Sequence, residues 1–319
     1  MTAVNDGKPL KGLVLAAGLG TRLRPLTLTL PKPLATVCGV TLLDSAIDRL
    51  ILAGASDIAI NSHHLPDVLR RHIEAASSPL FQMNFQISLE TPDILGTGGA
   101  LVPLKAWWGE SPLLVYNGDI LSDMDLKVLV QTHGEDRPLV SLAVRDVPPE
   151  ASAGRSVWVD KQGYVQKICK REDLDAGLLG LRECGYACAY VAEPGLRKYL
   201  PAKAVEYDLI AGFNAALDSR ERIRAVDYNG FWADIGTPKS LWETNLLVAA
   251  MPETRRRQLL GRGLTPSSCI IRDNNVLPAS TQLASARNLS GCVFLGDASS
   301  VDGEILKNHL RGFGFDHNF

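Results

Sequence analysis

Between Leu15 and Val37 the chain reads LAAGLGTRLRPLTLTLPKPLATV, a stretch that concentrates residue types able to handle phosphate. Gly18, Gly20 and Thr21 follow the apolar run GLVLAA at 12–17. A buried strand that gives way to such a loop can turn consecutive backbone N–H groups toward an anion with no Cβ in the way. Arg22 and Arg24 come at once, and Lys32 stands between Pro31 and Pro33, whose fixed φ restricts where the lysine points. The loop is not a P-loop, because no Gly-Lys-Ser/Thr closes it, nor a dinucleotide fingerprint, because Leu23 stands where the third small residue belongs. Three cations on one glycine-containing loop suit chemistry in which several phosphate charges must be brought together.

Two carboxylates complete the set. Asp119 follows the apolar run PLLVYN (112–117) in an Asn-Gly-Asp sequence, and Asp234 precedes a helix expected from Pro238. Each has a plain structural alternative, Asp119 as a turn residue and Asp234 as a helix cap. If the fold brings them together, a cation must sit between them, and with no His or Cys beside either in sequence a hard, oxygen-ligated ion such as Mg²⁺ is expected.

The elements that must position these residues can be read from periodicity. After the strand at 12–17, TLLDSAIDRLILAGA (41–55) has helical spacing, DIAIN (57–61) reads as a strand and LPDVLRRHIEAA (65–76) as a helix. MNFQISL (83–89) and PLLVYN read as further strands. Strands alternating with helices imply an α/β fold with a Rossmann-like, mixed but mainly parallel sheet flanked by helices. Ligands of such sheets lie beyond the carboxyl ends of the strands, which points to the loops at 17–33 and 117–123. From 138 to 230 the pattern changes to hairpin strands, RSVWVD (155–160) and YVQKI (164–168), with helices near 194–200 and 206–217.

The boundaries expected are a catalytic domain over 1–251, a polar linker over 252–263 with its arginines on a solvated helix end, and a tail over 264–319. In the tail Ile271, Leu277, Leu283, Leu289, Leu295 and Val301 recur at a spacing of six, the pattern of a short left-handed β-helix through which copies of the chain could associate.

The run AAGLGTRLRPLT…PKPL resembles the sugar-1-phosphate nucleotidyltransferases, also called nucleotide-sugar pyrophosphorylases. The likeness continues in order through LGTGGAL (95–101), NGDIL (117–121) and FWADIGTPKSL (231–241), covering residues 12 to about 250. It implies conversion of NTP and a sugar 1-phosphate into NDP-sugar and pyrophosphate, with Arg22 and Lys32 engaging the phosphates and Asp119 and Asp234 holding Mg²⁺. It implies further that Ala16, Ala17, Gly18, Gly20, Thr21, Gly96, Gly98 and Gly99 bind the nucleotide, and that Glu90, Asn117, Lys170 and Gly185 contact the sugar. The sequence departs from many relatives in one place: where they carry a Glu-Lys pair, the nearest match is KICKRE, with Cys169 in the Glu slot before Lys170. CGYACAY (184–190) resembles the family's glycine-containing sugar-site strand, with Gly185 as the point of close approach.

INSHH (60–64) and NGDIL resemble uridylyltransferases for N-acetylmuramate 1-phosphate, whereas LGTGGAL and the repeat tail resemble guanylyltransferases for mannose or heptose 1-phosphate, so both transfers stay open. An inactive regulatory subunit and a cytidylyltransferase acting on a non-sugar phosphate are the alternatives; joint retention of Arg22, Lys32, Asp119 and Asp234 favours an active enzyme. His63 and His64 are expected to hydrogen-bond locally. At 46% hydrophobic and 21% charged residues, with 33 Lys+Arg against 35 Asp+Glu, the 319-residue chain has the profile of a soluble globular protein and not that of a nucleic-acid binder or membrane-surface protein. A leader-free start, no long apolar stretch, and six cysteines without a CxxC pair fit a cytoplasmic protein with neither nucleic-acid nor membrane partners.

Overall fold

The computed structural model describes residues 7–75, 85–146, 155–173 and 180–261, and in the tail 269–272, 275–278, 289–290, 292–295, 306–307, 309–312 and 315–319. Its elements, in chain order, are β1 (Leu10–Leu15), α1 (Leu42–Leu52), β2 (Ala55–Ser62), α2 (Pro66–Ala75), β3 (Phe85–Leu89), β4 (Leu113–Asn117), β5 (Ile120–Ser122) and α3 (Leu126–Asp136). There follow β6 (Val140–Asp146), β7 (Ser156–Val159), β8 (Val165–Cys169), β9 (Arg182–Ala192), α4 (Leu209–Asp218), β10 (Ile223–Asp227), β11 (Trp232–Asp234), α5 (Pro238–Ala249) and α6 (Glu253–Leu260).

The main sheet runs β3-β2-β1-β4-β9-β6-β10, and the β7–β8 hairpin pairs with the first half of β9. The expected parallel character holds across β3-β2-β1-β4 and returns at β6–β10. It is broken at β9, which is antiparallel to β4, β6 and β7. β7 and β8, joined by a short turn, also pair antiparallel, whereas the strands on the β3–β4 side alternate with helical segments.

Successive residues of each strand face opposite layers. Leu13, Val115, Val144 and Tyr190 pack toward α4, where the Tyr190 and Phe213 rings meet edge-on at 5.5 Å. Val14, Ile60, Leu114 and Val191 pack toward Leu43, Ile47 and Leu50 of α1 and Leu126 and Leu129 of α3. Capping is local and explicit: Thr41 accepts from Asp44 N–H at the start of α1, Asp125 from Lys127 N–H at α3, and Asp208 from Ile210 N–H at α4. Among the described residues no helix is long and apolar enough to cross a membrane.

A third cluster joins the loop after β1 to the C-terminal part of the chain. Leu23, Leu26, Val37 and Cys38 share it with Leu241 and Val248 of α5, Leu259 and Leu260 of α6, and Val276, Val293, Leu295 and Leu310 of the tail. Within the stretch expected as a polar linker, Glu253–Leu260 forms a helix that packs through its two buried leucines while Arg255 and Arg257 stay on its solvated side; Arg255 ion-pairs with Asp123, Arg256 donates to the carbonyls of Ala249 and Met251, and Arg257 pairs with Glu253.

In the tail, Val276 pairs in parallel with Val293, Val293 with Leu310, and Leu289 with Leu306, a step of 17 residues each time. The expected six-residue step from Ile271 to Leu277 is instead an antiparallel hairpin in which Ile271 faces Val276, with Asp273 and Asn274, both turn-favouring types, between its strands. Leu283 and Val301 lie outside the described residues. Phe319 stacks on Trp242 of α5 with centroids 4.7 Å apart.

Candidate active site

The carboxyl ends of β1, β2, β3, β4, β6 and β10 open on one edge of the sheet, the edge where α/β folds hold ligands. Two short strands bring the carboxylates there. β11 pairs antiparallel with β5 so that Asp234 faces Ile120, and Ile235 N–H donates to the Asp119 carbonyl at 3.0 Å. Asp119 and Asp234, distant in sequence, are thus neighbours through backbone register. Lys32 Nζ donates to Asp119 Oδ2 at 2.6 Å and lies 3.7 Å from Asp234 Oδ1. Only 9% of Lys32 is exposed, and Pro31 leads directly into the 3₁₀ turn Lys32–Leu34 that carries it.

The structural alternative for Asp234 is excluded, because Thr237 caps α5: its side chain accepts from Ser240 N–H while the Ser240 hydroxyl accepts from Thr237 N–H. Arg22, exposed on the turn Thr21–Leu23, lies against Gly236. A Cβ at Gly236 would stand 3.1 Å from Arg22 Nη2 and 3.3 Å from Asp234 Oδ1, so the glycine allows guanidinium and carboxylate to approach. Gly20 has φ +60°, and its loop folds on itself as the Thr27 hydroxyl donates to the Gly20 carbonyl at 2.8 Å.

Beside the carboxylates is a cleft of about 150 Å³. Leu15 lines it from the end of β1, Ala17 and Gly18 from the loop after it, Asn61 from β2, Ile94 from just before the LGTGGAL segment, Gly96 and Thr97 from within it, Asn117 from the end of β4 and Asp119 from the turn that follows. Gly98 and Gly99 do not line it. They are buried under residues 205–209, where both N–H groups donate to the Tyr207 carbonyl, at 2.9 and 3.2 Å. A Cβ at Gly98 would come within 2.7 Å of Tyr207 Cδ1, and one at Gly99 would collide with the Val205 carbonyl oxygen. These two glycines serve close packing of protein on protein.

Glu90, expected as a sugar contact, is 1% exposed and has both carboxylate oxygens engaged. Oε1 accepts from Asn61 Nδ2 and Oε2 from Leu95 N–H, each at 2.7 Å, while Asn61 Oδ1 accepts from Ala16 N–H at 2.6 Å. The buried chain Ala16–Asn61–Glu90–Leu95 ties together the two loops that frame the cleft. A carboxylate just before a glycine-containing loop carries no sign in sequence of whether it faces ligand or loop backbone.

The rest of the expected sugar site is arranged differently. Lys170 is exposed and paired with Glu172 at 3.3 Å. Asn117 is half-buried on the cleft. In β9 the left-handed conformation falls on Cys188, with φ +63°, and not on Gly185, because the register against β6 shifts between Tyr186 and Tyr190. Burial pushes the Cys188 thiol up, and the negative charges of Asp119 and Asp234 push it the same way against the opposing pull of Arg145 and Lys32. Arg145, on β6 directly opposite Gly185, lies with its guanidinium carbon 4.2 Å from the centroid of the Trp232 ring, and Trp232 Nε1 donates to the Ala187 carbonyl at 3.1 Å. Nothing in the sequence marks Arg145; Cys188 lies inside CGYACAY and Trp232 inside FWADIGTPKSL, but neither run gives a hint of their partners. His63 and His64, expected to bond locally, instead donate to carbonyls of distant segments, those of Glu90 and Thr27, at 3.0 and 2.6 Å.

A family model described as "Nucleotidyl transferase" matches residues 11–250. The mannose-1-phosphate guanyltransferase of Hypocrea jecorina is 28% identical over 273 residues, covering 84% of this chain and 71% of that protein. The enzyme of the same name from Aspergillus fumigatus is 28% identical over 261 residues, covering 81% and 69%. Among solved structures, a UDP-glucose pyrophosphorylase complexed with UDP-glucose superposes with a TM-score of 0.63 at 21% identity, over 74% of this chain and 97% of that one. HddC from Yersinia pseudotuberculosis gives 0.60 at 19%, over 74% and 97%. The two solved structures share the fold, and with the family pattern running over residues 11–250 the chain belongs to the nucleotidyl transferase family.

Proposed function

We propose that the protein is a Mg²⁺-dependent sugar-1-phosphate nucleotidyltransferase, with guanylyl transfer to a hexose 1-phosphate of the mannose type as the reading its relatives favour. The observation that carries it is Lys32 Nζ held between Asp119 and Asp234 at the mouth of the cleft. A phosphate oxygen of the sugar 1-phosphate, already ionised at neutral pH, attacks the α-phosphorus of the nucleotide. A new P–O bond forms, the bond from the α-phosphorus to the bridging oxygen breaks, and pyrophosphate leaves with that electron pair. No proton need be removed from the attacking group, so the protein's task is to align two polyanions and compensate their charge.

Arg22 and Lys32 supply fixed cations for this task, and the loops of Ala17–Gly18 and Gly96–Thr97 give the nucleotide a walled cleft. Asp119 and Asp234 suit Mg²⁺, since they are hard oxygen donors already gathered around one cationic group. Among the described residues no group of three His, Cys, Asp or Glu gathers, which is consistent with an ion whose other ligands are phosphate oxygens and water. When bound, the ion would neutralise charge on the nucleotide phosphates.

The test is pyrophosphate release measured with each of GTP, ATP, UTP, CTP and dTTP against a panel of sugar 1-phosphates, with and without EDTA. GTP with mannose 1-phosphate is expected to give the highest kcat/KM, and chelation to abolish turnover until Mg²⁺ is restored. Activity that persists in EDTA would remove the metal from the proposal. Preference for UTP with N-acetylmuramate 1-phosphate would replace guanylyl by uridylyl transfer.

A further inference from the structure

The sheet has a direction across the site. The cleft lies over the ends of β1, β2 and β4, and β9 and β6 continue on the far side of β4. In nucleotidyl transfer the attacking oxygen and the departing pyrophosphate lie roughly in line on opposite sides of the phosphorus. An acceptor approaching a nucleotide seated in the cleft therefore meets the β9–β6 side, and its phosphate needs a cation there.

Arg145 has the required properties. It lies one residue from the carboxyl end of β6, on the same edge as Asp119. Among the described residues no carboxylate pairs with it, although other arginines nearby are paired, Arg182 with Asp146 and Asp227 for one. Its guanidinium carbon lies 4.2 Å from the centre of the Trp232 indole, a cation–π contact that holds the group in place without using a hydrogen-bond acceptor. Trp232 is itself fixed by its bond to the Ala187 carbonyl and by the β5–β11 ladder that carries Asp234 two residues later. Gly185, directly across from Arg145, puts no side chain beside it. Through Trp232, two residues before Asp234 on β11, Arg145 stands at the margin of the carboxylate centre. A guanidinium held against an indole there, with no carboxylate partner among the described residues, suits a phosphomonoester dianion.

We infer that Arg145, braced on Trp232, binds the phosphate of the incoming sugar 1-phosphate. This rests on the proposed function and adds to it the cation that Lys170, exposed and paired with Glu172, does not supply in this arrangement.

The test separates the two substrates. Initial rates of the full-length protein are measured while sugar 1-phosphate is varied at saturating NTP, and then the reverse. In Arg145→Ala the KM for sugar 1-phosphate is expected to rise about tenfold or more, while the KM for NTP stays within about twofold. Arg145→Gln, which keeps much of the stem and removes the charge, should give the same split and covers a failure of the alanine variant to fold. Arg145→Lys should recover part of the loss, as a point charge without the fork. A readout without turnover is the rise in melting temperature on adding mannose 1-phosphate, expected in the wild type and lost in Arg145→Gln. A KM for sugar 1-phosphate within about twofold of wild type in Arg145→Gln, or equal rises for both substrates, overturns the inference. Absence of turnover by the wild type across the whole substrate panel overturns the proposed function, and this inference with it; wild-type turnover with an unchanged acceptor KM in the variants overturns this inference alone.

Discussion

The two halves of the sheet present different materials to the same edge. From β1 to β4 the cleft is walled largely by small residues and loop backbone, with Ala17, Gly18, Gly96 and Thr97 along it and the buried Asn61–Glu90 pair behind. On the β9–β6 side, and on β11 beside it, the edge carries side chains drawn from separate strands: Arg145 on β6, Cys188 on β9, and Trp232 and Asp234 on β11. A wall made of backbone needs a run of particular residues to shape it, so it leaves a motif in the sequence. A wall made of side chains draws single residues from distant strands, so Arg145 stands in no motif, and the run that holds Trp232 and Asp234 does not show what they face.

The comparison is tested most severely at Lys32. Lys32→Ala and Arg22→Ala should each reduce turnover by about 10²–10³, roughly 3–4 kcal/mol of transition-state stabilisation, in a pyrophosphate-release assay at excess Mg²⁺. Either variant keeping half its activity would show that the cations of the first loop are not where the charge compensation lies. Next in size, Gly99→Ala should destabilise the fold by about 1–3 kcal/mol in urea titration, because its Cβ would press into the Val205 carbonyl. Unchanged stability there would return the glycine run to a role at the ligand.

Glu90→Gln puts a donor where an acceptor is needed, against either Asn61 Nδ2 or Leu95 N–H, at a cost of about 1–2 kcal/mol. Its kinetic mark should be a higher KM for NTP. A rise confined to the sugar 1-phosphate would place Glu90 on the other side of the comparison. The smallest effect is a gain. Cys188→Gly relieves a left-handed residue, worth about 1–2 kcal/mol, against roughly 0.5–1 kcal/mol of added backbone freedom in the unfolded chain, so the midpoint in urea should rise slightly. A fall would show that the thiol packs well enough to outweigh the strain.

What the sequence discloses follows the same division. The strand–loop run from Leu15 to Val37 and the parallel strands through Asn117 are legible because buried apolar runs, helical spacing and glycine placement are local signals. Asp119 and Asp234 are legible as residues, but their meeting depends on the β5–β11 ladder, six residues in all, too short for periodicity to show. The direction of Glu90, the burial of Gly98 and Gly99 under 205–209, and the left-handed conformation at Cys188 all depend on which segment lies opposite, and that is a tertiary fact. Residues 252–263 misled for a related reason. Composition averaged over three arginines hides Leu259 and Leu260, which alone decide that α6 packs.

The pairing of β5 with β11 also governs how this chain can change over generations. Strand register shifts only in whole residues, and a shift of one turns every side chain of the strand to the opposite face. A single insertion within 120–122 or 232–234 would therefore turn a carboxylate away from its partner, whereas the loops joining β6 to β10 stand outside that register and can lengthen or shorten without moving either aspartate along its strand. Tolerance and intolerance to insertion thus lie side by side along the edge, with novelty admitted in the connections and refused in three paired positions.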